Sequence, residues 1–186
     1  MPKGWFAIEG VQEGDRTLED QIKGLGPALA ECAGKSVLDL GTAEGLIGRE
    51  FARAGASGVV GIEYVEDHLK VARKQCAGLP MRFIRADLNA LAREFPVLKF
   101  DIVLSLGVCH KLKFPDMGVR YSARAANDLV VFGFSAREEF ASGVMRSKHY
   151  PENTCNVYEI MEECGFKLEK ILPRSRQETA QYWRRA

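Results

Sequence analysis

Short apolar runs alternate along this chain with stretches whose apolar residues recur every three or four positions. That alternation restricts the fold more than any other feature. Residues 36–40 (SVLDL), 58–63 (GVVGIE), 81–86 (MRFIRA), 100–105 (FDIVLS) and 128–134 (DLVVFGF) read as strands. Between them, Ile47, Phe51 and Ala54 form a helical stripe that ends at Gly55. Leu69, Ala72 and Cys76 form another, stopped by Gly78 and Pro80, and residues 88–95 make a third before Pro96. Strands alternating with helices imply a mostly parallel sheet covered on both faces.

The flanks extend the pattern. Thr17 is placed to cap a helix carrying Leu18, Ile22, Leu25 and Leu29, which Gly24, Gly26 and Pro27 break in two. Asn156 can cap a helix carrying Val157, Ile160, Met161 and Cys164, with Gly165 as its stop. Residues 166–172 and 179–185 read as two last strands. The short gap between them suits an antiparallel hairpin better than a parallel crossover. The final Tyr182-Trp183-Arg184-Arg185 reads as an edge strand with one buried face. Residues 111–153 show no clear pattern outside the strand at 128–134.

The 186 residues suit one domain with a sizeable core, residues 1–34 forming an N-terminal cap segment and helix and residues 35–186 the α/β core. With 26 Lys and Arg against 25 Asp and Glu, the net charge is +1, which does not favour a dedicated nucleic-acid or membrane binder. No apolar run approaches the roughly 20 residues of a bilayer span. Five scattered cysteines without a CxxC fit neither a disulfide framework nor a zinc site, so a cytoplasmic location is expected. His68, His110 and His149 lack metal-ligand spacing, and no metal is expected.

Chemistry concentrates where the strands end. After the first core strand comes Asp39-Leu40-Gly41-Thr42-Ala43-Glu44-Gly45, an acidic strand end and a turn of small residues opening a helix. Small residues there let backbone amides approach a ligand. A plain strand-to-helix turn would share those glycines. The second strand, however, ends in Glu63, 24 positions beyond Asp39, a spacing suited to accepting hydrogen bonds from a ribose. The third is followed by Asp87-Leu88, where a carboxylate can meet an adenine amino group or cap the next helix. The fourth ends in Ser105-Leu106-Gly107. Neither GxGxxG nor a P-loop is present, so the pocket suits an adenosine with an amino-acid tail rather than a diphosphate.

Across residues 36–135 these segments resemble the class I S-adenosylmethionine-dependent methyltransferases. Asp39 to Gly45 is similar to the family's first motif, D/E-x-G-x-G-x-G, departing at Ala43, where alanine is tolerated if the position keeps negative φ. Val59-Val60-Gly61-Ile62-Glu63-Tyr64 resembles the ribose-binding motif, and Arg85-Ala86-Asp87-Leu88 the adenine-binding one. The resemblance implies a three-layer α/β sandwich around a seven-stranded sheet of order 3-2-1-4-5-7-6, with strand 7 antiparallel. It implies S-adenosylmethionine as cofactor and S-adenosylhomocysteine as product. The cofactor would be held by Asp39, Gly41, Thr42, Ala43, Gly45, Glu63, Tyr64, Asp87, Leu88, Ser105 and Leu106. Residues 105–111 and the opening Trp5-Phe6-Ala7-Ile8 are also similar to the tRNA wobble-uridine carboxymethyltransferase branch, without carrying over its RNA specificity.

Methyl transfer needs alignment and a water-poor site, and a base only when the acceptor has a proton to lose. His110 is the expected base. Cys109 reads as a small semi-buried residue rather than a nucleophile. Arg16 is a candidate partner for the cofactor's carboxylate, and Trp5 and Phe6 either cover the methyl donor or anchor the terminus. A small-molecule acceptor is expected, because no appended recognition domain is evident. RNA methylation on oxygen or carboxylate, a protein partner, a binding module without transfer, and cofactor cleavage remain open.

Overall fold

The computed structural model describes residues 3–90, 97–135, 143–174 and 178–186. The chain opens with a parallel two-stranded ladder, β1 (Lys3–Phe6) and β2 (Glu13–Arg16), which has no signature in the sequence. Helices α1 (Leu18–Ile22) and α2 (Gly26–Glu31) follow, split at the expected glycines. Thr17 caps α1 by accepting the Asp20 N–H at 3.2 Å.

The core then runs β3 (Ser36–Leu40), α3 (Leu46–Arg53), β4 (Gly58–Glu63), α4 (Glu66–Gln75), β5 (Met81–Arg85) and β6 (Phe100–Leu106). It continues with α5 (Pro115–Ala125), β7 (Ala126–Ser135), the hairpin β8 (Val144–Arg146) and β9 (Thr154–Asn156), α6 (Val157–Glu163), β10 (Phe166–Pro173) and β11 (Glu178–Arg185). The expected helix over 88–95 lies largely outside the described residues.

Seven strands form one sheet in the order β10-β11-β7-β6-β3-β4-β5. Strand β11 runs antiparallel to both of its neighbours, and the remaining pairs are parallel. This is the order 3-2-1-4-5-7-6 implied by the resemblance. One face buries Leu38, Val103, Phe132 and Trp183 against Val119 and Met161. The other buries Val37, Leu104, Val131 and Tyr182 against Phe6, Ala28 and Phe51. Helices thus cover both faces, as two-sided apolar strands require.

The tail is corrected by this arrangement. Strand β11 is an interior strand, and Tyr182 and Trp183 are buried on opposite faces. The edge on this side is β10, whose half-buried and exposed residues alternate after the buried Phe166. The basic residues suggested an edge, but they lie at the strand's end. There Arg184 pairs with Glu31, Asp128 and Glu169, each at 3.0 Å.

The unpatterned region also acquires a shape. After β6 comes one 3-10 turn, Cys109–Lys111. The segment following β8 packs on that turn: Ser147 Oγ donates to the Leu112 carbonyl, and Lys148 N–H to the His110 carbonyl, both at 2.6 Å. Strand β3 lies between β4 and β6, where the chain reverses its direction of winding. Open α/β sheets bind ligands outside the carboxyl ends of strands at that point.

Candidate active site

The loop after β3 is built from left-handed backbone. Gly41 has φ +72°, Ala43 +48° and Gly45 +75°. The expectation of negative φ at Ala43 is therefore corrected. Its N–H turns toward Glu63 and donates to Oε2 at 3.0 Å, between two glycines already in the same region. Asp39 is buried beneath the loop and accepts the Thr42 hydroxyl at 2.6 Å. Burial pushes its carboxyl up to about 6, partly opposed by the Thr42 hydroxyl.

Glu63 ends β4. Its Oε1 accepts the N–H groups of Tyr64 at 2.8 Å and Val65 at 2.9 Å, at the start of α4. Tyr64 stands 62% exposed beside it. Asp87 follows β5, and its Oδ1 accepts the Asn89 N–H and side-chain amide, the capping alternative in realised form. Leu88 lines an apolar crevice with Leu40, Val108, Cys109, Leu112 and Tyr121.

Ser105 is buried, with its Oγ 3.0 Å from Cys109 Sγ. Burial raises the Cys109 thiol to about 11, which keeps it protonated and unreactive at neutral pH. His110 is pushed down to about 4 by burial, then by the charges of Lys111, Lys148 and His149. Its imidazole is neutral at pH 7.

The N-terminal segment divides the two roles open to it. Phe6 is buried in the core and anchors the terminus. Trp5 lies at the site, with the Lys111 ammonium 4.3 Å and the Arg16 guanidinium 5.7 Å from its ring centroid. Arg16 pairs with Glu178 at 3.4 Å. Beyond His110, a cavity of about 350 Å³ is lined by Asn89, Lys113, Phe114 and Tyr150. The Lys113 ammonium lies over both rings, at 5.4 and 5.6 Å. Arg120, on α5, pairs with Glu163 at 2.9 Å.

Two charged residues were not legible as site residues. Glu44, in the middle of the glycine loop, is completely buried. It accepts the N–H groups of Trp5 at 2.9 Å and Phe6 at 3.1 Å, and the Gln12 amide at 2.9 Å. Arg174, at the β10–β11 turn, has its side chain 2% exposed. Neither belongs to a pattern along the sequence, because their partners are far away in the chain. Among the described residues no cluster of His, Cys, Asp and Glu could hold a metal ion, and no helix is long and apolar enough to cross a membrane.

The mostly parallel sheet, its reversal at β3 and the acidic ends of three neighbouring strands define a Rossmann-like methyltransferase fold. Comparison with known proteins agrees. Residues 37–127 match the family described as Methyltransferase domain. The fold is that of the class I S-adenosylmethionine-dependent methyltransferases. It is 31% identical over 93 residues to a ubiquinone biosynthesis O-methyltransferase from Proteus mirabilis, covering 49% of this chain. It spans only 37% of that curated relative's length. Among solved structures it is similar to magnesium protoporphyrin IX methyltransferase from Synechocystis with bound S-adenosylhomocysteine, at TM-score 0.68 and 18% identity over 86% of this chain and 78% of that one. It is also similar to an S-adenosylmethionine-dependent methyltransferase from Mesorhizobium loti, at TM-score 0.66 and 20% identity over 87% and 98%. At these identities the structures show a shared fold.

Proposed function

We propose that this protein transfers a methyl group from S-adenosylmethionine to a small-molecule acceptor. The observation that carries the reading is the row of Asp39, Glu63 and Asp87 at the carboxyl ends of three adjacent strands, beside a left-handed Gly41–Gly45 loop. In this reading Gly41, Thr42, Ala43 and Gly45 offer backbone to the cofactor's tail, with Asp39 fixing the loop from below. Glu63 accepts the ribose hydroxyls, Asp87 an adenine N–H, and Tyr64 and Leu88 flank the base. Ser105 and Leu106 form the wall on the other side.

Bound there, S-adenosylmethionine supplies a methyl on a sulfonium, already a good leaving group. The chain's own work is alignment and exclusion of water. Trp5, held through Glu44, covers the site. The neutral His110 accepts a hydrogen bond from an acceptor O–H or N–H and takes its proton as the methyl arrives. Residues 1–34 act as the cover and 35–186 as the core of one domain. Five free thiols suit a reducing compartment, and the reading places the protein in the cytoplasm.

A second reading, methylation of RNA on oxygen or carboxylate, draws on Lys113 lying between Phe114 and Tyr150, a pairing of charge and ring suited to a nucleotide.

Calorimetric titration with S-adenosylmethionine and S-adenosylhomocysteine, on wild type and Glu63→Ala, tests the cofactor site. Losing hydrogen bonds to a charged acceptor should cost about 1.5–3 kcal/mol, roughly tenfold or more in affinity. Folded wild type that binds neither compound would sink the reading. Mass spectrometry of the products separates transfer from cofactor cleavage or simple binding.

A further inference from the structure

Arg174 is an unusual residue to find buried. Its side chain runs from the β10–β11 turn across the carboxyl ends of β6 and β7. Two glycines make room for it. A Cβ on Gly24 would lie 3.0 Å from Arg174 Cγ, and one on Gly133 would lie 2.5 Å from Nη1. The same Gly133 position is 3.1 Å from Leu106 Cα and 3.3 Å from the Gly107 nitrogen. The guanidinium thus lies against the end of β6, on the face where Asp39 points, close enough for the two charges to act on each other.

Its hydrogen bonding is incomplete. Nη2 donates to the Gln21 carbonyl at 2.5 Å and to Gln21 Oε1 at 3.4 Å. Nη1 reaches Glu178 Oε2 only at 3.8 Å, and buried Nε has no partner among the described residues. Glu178 is shared with Arg16 at 3.4 Å. Both distances exceed the roughly 2.7–2.9 Å of a good charge-assisted bond. Two guanidiniums therefore share the Glu178 carboxylate loosely, and Arg174 keeps a buried donor without a partner among the described residues. A buried donor without a partner is destabilising, and a ligand anion that accepted from it would remove that cost.

We propose that Arg174 is the receptor for a ligand carboxylate presented at the ends of β6 and β7, with Glu178 as the counter-ion held until that carboxylate arrives. The inference rests on the methyl-donor site proposed above. The carboxylate has two sources, the amino-acid tail of the cofactor or an anionic acceptor. A planar guanidinium can bind either through two parallel N–H bonds. The tie to Gln21 carries occupancy of the site to α1.

The test is NMR of the full chain with ¹⁵N-labelled arginine side chains, the Arg174 Nε–H resonance being assigned with Arg174→Lys. S-adenosylhomocysteine is compared with 5′-methylthioadenosine, which keeps the nucleoside and lacks the carboxylate. A resonance that moves with the first compound and not the second assigns the cofactor's tail. Calorimetry then expects Arg174→Met to weaken S-adenosylhomocysteine roughly tenfold and to leave 5′-methylthioadenosine unaffected. A resonance that moves only when benzoate is added to protein saturated with S-adenosylhomocysteine assigns an acceptor carboxylate. A resonance that moves with none of these, or equally with both nucleosides, overturns the proposal and leaves Arg174 as a strut between α1 and the sheet. Backbone amides of Gly41 and Gly45 serve as the independent control. If S-adenosylhomocysteine leaves them unmoved, the methyl-donor reading itself fails.

Discussion

Glu63 and Ala43 are joined by one hydrogen bond, from the Ala43 backbone N–H to Glu63 Oε2 at 3.0 Å. The bond ties the end of β4 to the loop after β3, and it holds the alanine at φ +48°. An L-residue in that region costs about 1–2 kcal/mol, of which glycine would return part, since it loses about 0.5–1 kcal/mol more backbone entropy on folding. Ala43→Gly should therefore be neutral to about 1 kcal/mol more stable, with S-adenosylhomocysteine affinity retained. Urea unfolding measures this. A clear drop in midpoint would show that the alanine methyl, packed in the core, is worth more than the strain.

Glu44 presents two acceptor oxygens to N–H donors, among them Trp5, Phe6 and the Gln12 amide. In Glu44→Gln one oxygen becomes an amide that points a donor at a donor. A loss of about 1–3 kcal/mol is expected. It should be accompanied by faster tryptic cleavage at Lys3 and Arg16 than in wild type. Unchanged cleavage would mean that Phe6 alone holds the terminus.

Asp39 and His110 should oppose each other as pH changes. Asp39 rises from 3.8 to about 6 in the folded chain, so its contribution is full below 3.8 and lost as pH rises through 6. His110 falls from 6.5 to about 4, so its contribution is full above 6.5 and lost as pH drops toward 4. Each is worth on the order of 3 kcal/mol, with opposite sign over one window. Between pH 6.5 and 4, Asp39→Asn should lose melting temperature on acidification more steeply than wild type, and His110→Gln less steeply. Parallel melting curves for all three proteins would contradict both assignments.

If His110 takes the acceptor's proton, His110→Ala should lower kcat by about 10²–10⁴ while S-adenosylhomocysteine binds as before. With the imidazole held near 4, the wild-type rate should show no inflection from this group between pH 6 and 8. Loss of cofactor affinity together with turnover would instead make His110 part of the pocket wall.

Much of the fold was legible because its signals are local. Strands β3 and β4 begin and end where their apolar runs do, and Thr17 and Asn156 cap the helices they precede. The acidic strand ends were legible too, since in a parallel sheet such residues must gather on one edge. The reading failed where neighbours outweighed local pattern. Tyr182 and Trp183 looked like an edge because Arg184 and Arg185 follow them, yet β10 and β7 enclose that strand.

The amino-acid sequence by itself determined the alternation of strands and helices, and with it the row of Asp39, Glu63 and Asp87. Hydrophobic period and turn chemistry act over a few residues and can be read in one dimension. Only the tertiary structure decided that Glu44 is buried under a segment 38 residues earlier and that Arg174 bonds to Gln21 across 153 residues. It also decided that Ala43 is held left-handed by Glu63. A charge is stable in the interior only beside its partners, and those partners are brought together by the folded chain, not by their order along it.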